Sequence, residues 1–170
     1  MTPIPLVFDH LLGLPAHPLL VHGAVVLVPM GAVAFVAAGL KESWRRAYYL
    51  PATAIVVVGG LFAFLAKESG ESLSQSIRSA GQTVGEHPEQ GDTAFLFAMI
   101  LAIMCAFVYA VYRFSPQLEA RFSNVTLPRL PVSYNTVLYA AVVPVAVLAV
   151  ATMIIAGHSG AELVWKTNVK

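Results

Sequence analysis

Histidine is the residue type in this sequence best suited to chemistry. The 170-residue chain has five: His10, His17, His22, His87 and His158. A neutral imidazole binds zinc, copper or iron through one ring nitrogen, and it is a common axial ligand of haem. The sequence has no H-E-x-x-H motif, phosphate-binding loop or cysteine pair. The histidines are therefore the candidate functional residues, and the elements that position them come next.

The composition is that of a membrane protein. Hydrophobic residues make up 58% of the chain and charged residues 11%, and the mean hydropathy is +0.74. Soluble domains carry about 25% charged residues because their surface faces water. The net charge of +1 and the lack of a basic patch exclude a nucleic-acid partner. The single cysteine, Cys105, excludes an intrachain disulfide. We therefore expect the lipid bilayer to be the main partner.

Four segments are long and apolar enough to cross a bilayer, which needs about 20 residues of helix. They cover about 18–40, 47–66, 93–114 and 135–156. Because backbone groups cannot stay unpaired in lipid, each segment is predicted to be helical. The sequence thus predicts one all-α membrane domain over 1–170, a four-transmembrane-helix bundle. Residues 3–14 are apolar but too short to span, and we predict an interfacial helix or a plug lying on the bundle there. The polar connection 67–92 is predicted to contain a short helix near 72–80.

The distribution of lysine and arginine predicts the orientation. Six lie in the two connections that follow the first and third spans, and four lie on the opposite side, where most acidic residues also lie. Since basic loops stay in the cytoplasm, both termini and the long loop are predicted outside. All five histidines then lie at the outer face. The chain is predicted to cross the membrane several times.

His22 and His158 are the leading pair of ligands. His22 lies about one turn inside the first span, where an ionisable side chain is costly and often functional. His158 ends the fourth span between Gly157 and Gly160, which would let a flat group come close. Two histidines on facing helices can hold a haem iron between them. His87 or His17 could replace either one, although His-Pro at a helix start is also a common capping arrangement.

The two halves of the chain share a weak sequence similarity. Residues 65–73 (LAKESGESL) end the second span and residues 155–163 (IAGHSGAEL) end the fourth, and both contain Ala, Ser-Gly and Leu at the same spacing. His17-Pro18 and His87-Pro88 likewise open the first and third spans. The pattern indicates two similar helix pairs, but short similarities also arise by chance in chains rich in alanine and leucine.

Two end motifs resemble those of a known family. They are residues 13–22 (GLPAHPLLVH) and residues 157–165 (GHSGAELVW). They are similar to the opening and closing motifs of a bacterial membrane family called domain of unknown function 2231, and the resemblance covers nearly the whole chain. Gly23, Ala24 and Ala161 depart from the family pattern without removing a histidine. The resemblance implies a four-helix inner-membrane protein. Because some relatives are joined to iron–sulfur domains, and the histidines are similar to those of membrane b-type cytochromes, it also implies electron transfer by analogy.

Three functions remain open from the sequence. The first is a b-type haem protein, ligated by His22 and His158, that exchanges electrons with quinol or serves respiratory-chain subunits. The second is a copper or zinc site built from three or more of His17, His22, His87 and His158. The third is a structural or assembly subunit whose histidines only make polar contacts. Whether the chain forms an oligomer is open under all three. A stand-alone enzyme is less expected than an electron carrier or accessory subunit.

Overall fold

The computed structural model describes residues 10–11, 14–81, 85–121 and 134–168. They form four long helices: α1 (Ala16–Gly39), α2 (Glu42–Ser79), α3 (His87–Arg121) and α4 (Tyr134–Asn168). Each contains a segment that is long and apolar enough to cross a membrane. The prediction of an all-α fold with four transmembrane helices is confirmed.

The helices pack as a four-helix bundle. α1 packs against α2 and α4, and α3 packs against the same two helices, so that α1 and α3 lie diagonally and touch only slightly. The core is made of small and apolar side chains, and its largest fully buried members are Tyr49, Phe35, Leu101, Val28, Val56, Val142 and Cys105. Large apolar side chains such as Val33, Ile103 and Val147 are exposed on the outside. An apolar outer surface is what a bundle embedded in lipid requires.

Two glycines let α1 and α2 approach closely. A Cβ atom on Gly31 would lie 2.8 Å from the backbone nitrogen of Val56, and one on Gly59 would lie 2.9 Å from that of Val28. Both distances are shorter than carbon atoms tolerate. Small residues at such crossings are typical of membrane helices, whose association depends on close packing rather than on the hydrophobic effect.

The helices are longer than the apolar spans predicted from the sequence. α2 continues without a break to Ser79, so the short helix predicted near 72–80 is the end of α2. α3 begins at His87 and α4 continues past His158. Hydropathy marks only the part of a helix that suits lipid, whereas a helix also continues into water where polar side chains support it. The Lys67–Glu71 ion pair on α2 has the i, i+4 spacing that gives such support.

The segment before α1 is not helical where the structure describes it. His10–Leu11 (β1) and Leu14–Pro15 (β2) form two short antiparallel strands, with His10 opposite Pro15 and Leu11 opposite Leu14. The interfacial helix predicted for 3–14 is therefore wrong at residues 10–11 and 14. Residues 1–9 and 12–13 lie outside the described part of the chain.

The bundle has two chemically different ends. At one end, here called the histidine end, α1 and α3 begin, with His17 the second residue of α1 and His87 the first residue of α3. α2 and α4 run past this level by roughly ten residues, which is about 15 Å of helix. At the other end, here called the basic end, Lys41 lies in the connection between α1 and α2, and Arg45 and Arg46 lie at the start of α2. The candidate site lies at the histidine end.

A candidate two-histidine centre

His17, the second residue of α1, makes its polar contacts with α2. Its Nδ1 lies 2.8 Å from the carbonyl oxygen of Ala66 and 3.3 Å from Oγ of Ser69. Ser69 donates its own hydroxyl hydrogen to the same carbonyl, at 3.0 Å. A carbonyl oxygen can only accept, so Nδ1 carries the hydrogen. In the neutral ring, the lone pair therefore belongs to Nε2.

His87, the first residue of α3, makes the equivalent contact with α4. Its Nδ1 lies 2.9 Å from Oγ of Ser159. Ser159 donates its hydroxyl hydrogen to the carbonyl of Ala156 at 3.0 Å, which leaves its oxygen free to accept from His87. Nδ1 of His87 is thus also the donor, and its lone pair is also on Nε2. The two histidines have the same tautomer, which the Ala66 carbonyl fixes for His17 and the Ser159 hydroxyl fixes for His87.

A glycine beside each ring makes these contacts possible. A Cβ atom on Gly70 would lie 2.8 Å from Cε1 of His17, and one on Gly160 would lie 3.0 Å from Cε1 of His87. Each imidazole therefore lies against bare helix backbone, where an alanine would push it away. Each Ser-Gly pair, 69–70 and 159–160, is here called a cradle. Its serine oxygen contacts Nδ1 of the histidine, and its glycine makes room for the ring.

The two rings meet across the diagonal of the bundle. Their centroids are 6.3 Å apart and their planes are inclined by 74°. Both histidines are half-buried. Among the residues that the structure describes, no group of three or more His, Cys, Asp or Glu side chains is placed to hold a metal ion. The centre is therefore a pair of imidazoles, each held at Nδ1 by its neighbouring helix.

The other histidines lie elsewhere. His22 is exposed, and its Nδ1 is 2.5 Å from the carbonyl of Pro18 on its own helix. The side chain of His158 is 75% exposed, with Nε2 3.4 Å from the carboxylate of Glu162. No hydrogen bond or ring contact joins these two histidines in the described ranges. His10 lies on β1, and nothing is described of its side chain.

The structure thus changes which histidines are paired. His22 and His158, preferred from the sequence for their depth and their flanking glycines, both lie at the surface. His17 and His87, kept as substitutes, come together. Sequence reasoning did not assign Ser69, Gly70 and Ser159 to the site, and it gave Gly160 a role beside His158 rather than beside His87. The repeated Ala-x-x-Ser-Gly pattern was the signal for them, because each copy receives the histidine that opens the preceding helix.

The donor set is better suited to haem than to a bare metal ion. A structural zinc site takes four protein ligands and a catalytic one takes three. A haem iron needs only axial ligands from the protein, and two imidazoles supply them. Metal-bound histidines usually donate their other ring N–H to a carbonyl or another oxygen, as both Nδ1 atoms do here. The centroid separation of 6.3 Å shows that the two rings are neighbours across the bundle.

Fold and site together define a class: a four-helix membrane bundle with two half-buried histidines at one end. Residues 13–170 match the family model described as "Predicted membrane protein (DUF2231)". The chain belongs to this family, as the end motifs of the sequence indicated. No curated protein and no solved structure shows a significant match to the chain.

Proposed function

We propose that the protein is a b-type haem protein of the bacterial cytoplasmic membrane, and that His17 and His87 are the axial ligands. The observation that carries the proposal is the matched state of the two imidazoles. Each imidazole donates its Nδ1 hydrogen to an acceptor on a neighbouring helix. In each ring, the Nε2 lone pair has no hydrogen bond among the described residues. The centroids of the two rings are 6.3 Å apart, and this proximity supports an electrophile shared by the two imidazoles.

The residues of the chain have distinct roles in this proposal. His17 and His87 bind the iron, whereas Ser69 and Ser159 are positioning residues that hold each ring in the Nε2-ligating tautomer. Gly70 and Gly160 allow each ring to lie against the helix. Haem supplies one-electron chemistry, and the protein adjusts its potential through these hydrogen bonds and through burial.

Electron transfer is the function that this centre supports best. We place the histidine end at the outer face, because six of the ten lysines and arginines follow the first and third apolar spans, at the other end. The protein would pass electrons between membrane quinol and a partner on the outer side, or serve respiratory subunits in that role. The half-buried position of the rings at the ends of apolar spans supports a centre near the membrane surface, where both partners have access.

A visible spectrum of the purified chain tests the haem proposal. The protein is expressed with added haem precursor, purified in detergent, reduced with dithionite, and compared with its oxidised form. We expect a Soret band and a sharp α-band, and about one haem per chain by pyridine extraction. One equivalent of copper or zinc without porphyrin would instead favour a bare metal centre. Absence of both porphyrin and metal would refute a cofactor role.

A structural role is the second candidate. The observation in its favour is that His17 ties α1 to α2 and His87 ties α3 to α4 without any added group. In that case the His17→Ala and His87→Ala variants would melt at lower temperature, and neither the variants nor the parent would bind haem. Thermal unfolding measured with and without haem separates the two functions, because only a ligand centre is stabilised by haem.

A further inference from the structure

An apolar groove lies on the outside of the bundle at the basic end, far from the histidines. It has a volume of about 450 Å³. Its walls come from α1 and α2. The lining residues include two aromatic side chains, Trp44 and Tyr48, and the smaller or apolar residues Ala34, Ala37, Pro51 and Ile55. Trp44 is 39% exposed and Tyr48 is 56% exposed. The groove is therefore open to whatever surrounds the bundle.

A positively charged segment, residues 41–46, lies beside the groove, because its Trp44 lines the groove. Lys41 places its Nζ 4.8 Å from the centre of the Trp44 ring. Arg45 and Arg46 both pair with one carboxylate, that of Glu42, each at 3.2 Å. Lys41 has no carboxylate partner among the described residues. Three cations and one anion thus lie within six residues of chain, directly beside an apolar groove.

We propose that this groove binds one anionic phospholipid. An acyl chain would lie between α1 and α2, along the small side chains Ala34 and Ala37. The phosphate would lie at Lys41 and the Trp44 ring, at the level where tryptophan and tyrosine meet the lipid headgroups. Basic pockets between membrane helices bind the head groups of anionic lipids in this manner. A zwitterionic lipid fits less well because its own cation would meet the basic residues.

The position of Trp44 provides a direct probe. The chain has two tryptophans, and the other, Trp165, lies on α4 near the histidine end. In a Trp165→Phe background, the fluorescence comes from Trp44 alone. The full chain is reconstituted in phosphatidylcholine vesicles, and Trp44 emission is recorded as lipid with brominated acyl chains is added, either as phosphatidylglycerol or as phosphatidylcholine. We expect half-maximal quenching at a lower mole fraction of the phosphatidylglycerol, by about fivefold.

Paired variants separate the charge from the groove. Lys41→Gln should remove most of the preference for phosphatidylglycerol, whereas Arg78→Gln, which removes an exposed cation at the other end of α2, should leave it unchanged. Ala37→Leu fills the groove and should weaken quenching by both brominated lipids at low mole fraction. Ala151→Leu, at an exposed position on α4, is its control. Circular dichroism verifies that each variant keeps its helices.

Three outcomes would overturn the proposal. Equal quenching by the two brominated lipids would mean ordinary bulk lipid at the groove. Loss of the preference on adding soluble glycerol phosphate would mean a site for small phosphates rather than for a lipid. Trp44 emission that neither lipid quenches, together with a cross-linked dimer, would mean that a second copy of the chain covers the groove.

Discussion

The two helix pairs of this bundle, α1 with α2 and α3 with α4, each hold a histidine ring, but by slightly different contacts. In both pairs, a histidine at the start of one helix lies against a Ser-Gly cradle near the end of the next. His17 has two acceptors for its Nδ1 hydrogen, a carbonyl and a serine, whereas His87 has the serine alone. Gly70 is also closer to its ring than Gly160 is. The first pair therefore depends more on glycine and the second more on serine.

The largest expected effect separates the inner histidines from the surface ones. If the proposed haem centre is correct, His17→Ala and His87→Ala should each reduce the haem content to background, because each removes one of the two proposed ligands. His22→Ala, on the same helix as His17, and His158→Ala, at the same end of the bundle as His87, are the matched controls. Both should retain haem. Haem per chain, by pyridine extraction, is the measurement. Loss of haem in the His22 or His158 variants, with retention in the other two, would restore the pairing first expected from the sequence.

Alanine at the two cradle glycines should show the first difference between the pairs. A Cβ on Gly70 would lie 2.8 Å from the His17 ring, and one on Gly160 would lie 3.0 Å from the His87 ring. The ring is the movable partner, so the fold should survive while the ligand is displaced. Gly70→Ala should weaken haem binding by about 10- to 100-fold, and Gly160→Ala by less. Haem titration of the apoprotein measures both, and equal affinities in the two variants would contradict the glycine part of the comparison.

Alanine at the two serines should reverse the order. Ser159→Ala removes the hydrogen-bond acceptor of His87, whereas Ser69→Ala leaves His17 its 2.8 Å bond to the Ala66 carbonyl. Ser159→Ala should weaken haem binding by about tenfold, and Ser69→Ala should have the smaller effect. A shift of the midpoint potential in Ser159→Ala, without one in Ser69→Ala, would show that the serine acts through the ligand. A shared loss of helical stability with no shift in potential would contradict this.

The smallest expected effect concerns a polar link between the helix pairs. Lys67 on α2 lies 2.7 Å from a carboxylate oxygen of Asp92 on α3, and it also pairs with Glu71. Its carboxylate partners are exposed, and exposed ion pairs contribute little. Lys67→Gln should lower the stability by less than about 1 kcal/mol and leave the haem content unchanged. Thermal unfolding in detergent at low and high salt checks this. A large, salt-dependent loss would mean that the ion pair, rather than apolar packing, joins the halves.

The sequence was sufficient for the spans but not for the pairing. Apolar runs of about 20 residues have few alternatives to a membrane helix, so the four helices could be predicted, apart from their polar extensions. Choosing partners among histidines requires the rotation of each helix about its axis, which periodicity does not supply in helices that are apolar all round. His22 looked buried from its neighbours Val21 and Val25, yet it faces outward. The repeat of Ser-Gly at 69–70 and 159–160 held the missing information, because it placed equivalent contacts in both halves.

Electron paramagnetic resonance of the oxidised protein tests most directly whether His17 and His87 together hold one iron. We predict a low-spin ferric haem signal in the parent. The signal should be retained in the His22→Ala, His158→Ala double variant and absent from the His17→Ala, His87→Ala double variant. A low-spin signal that persists without His17 and His87, or a parent protein with no haem signal after saturation with haem, would contradict it.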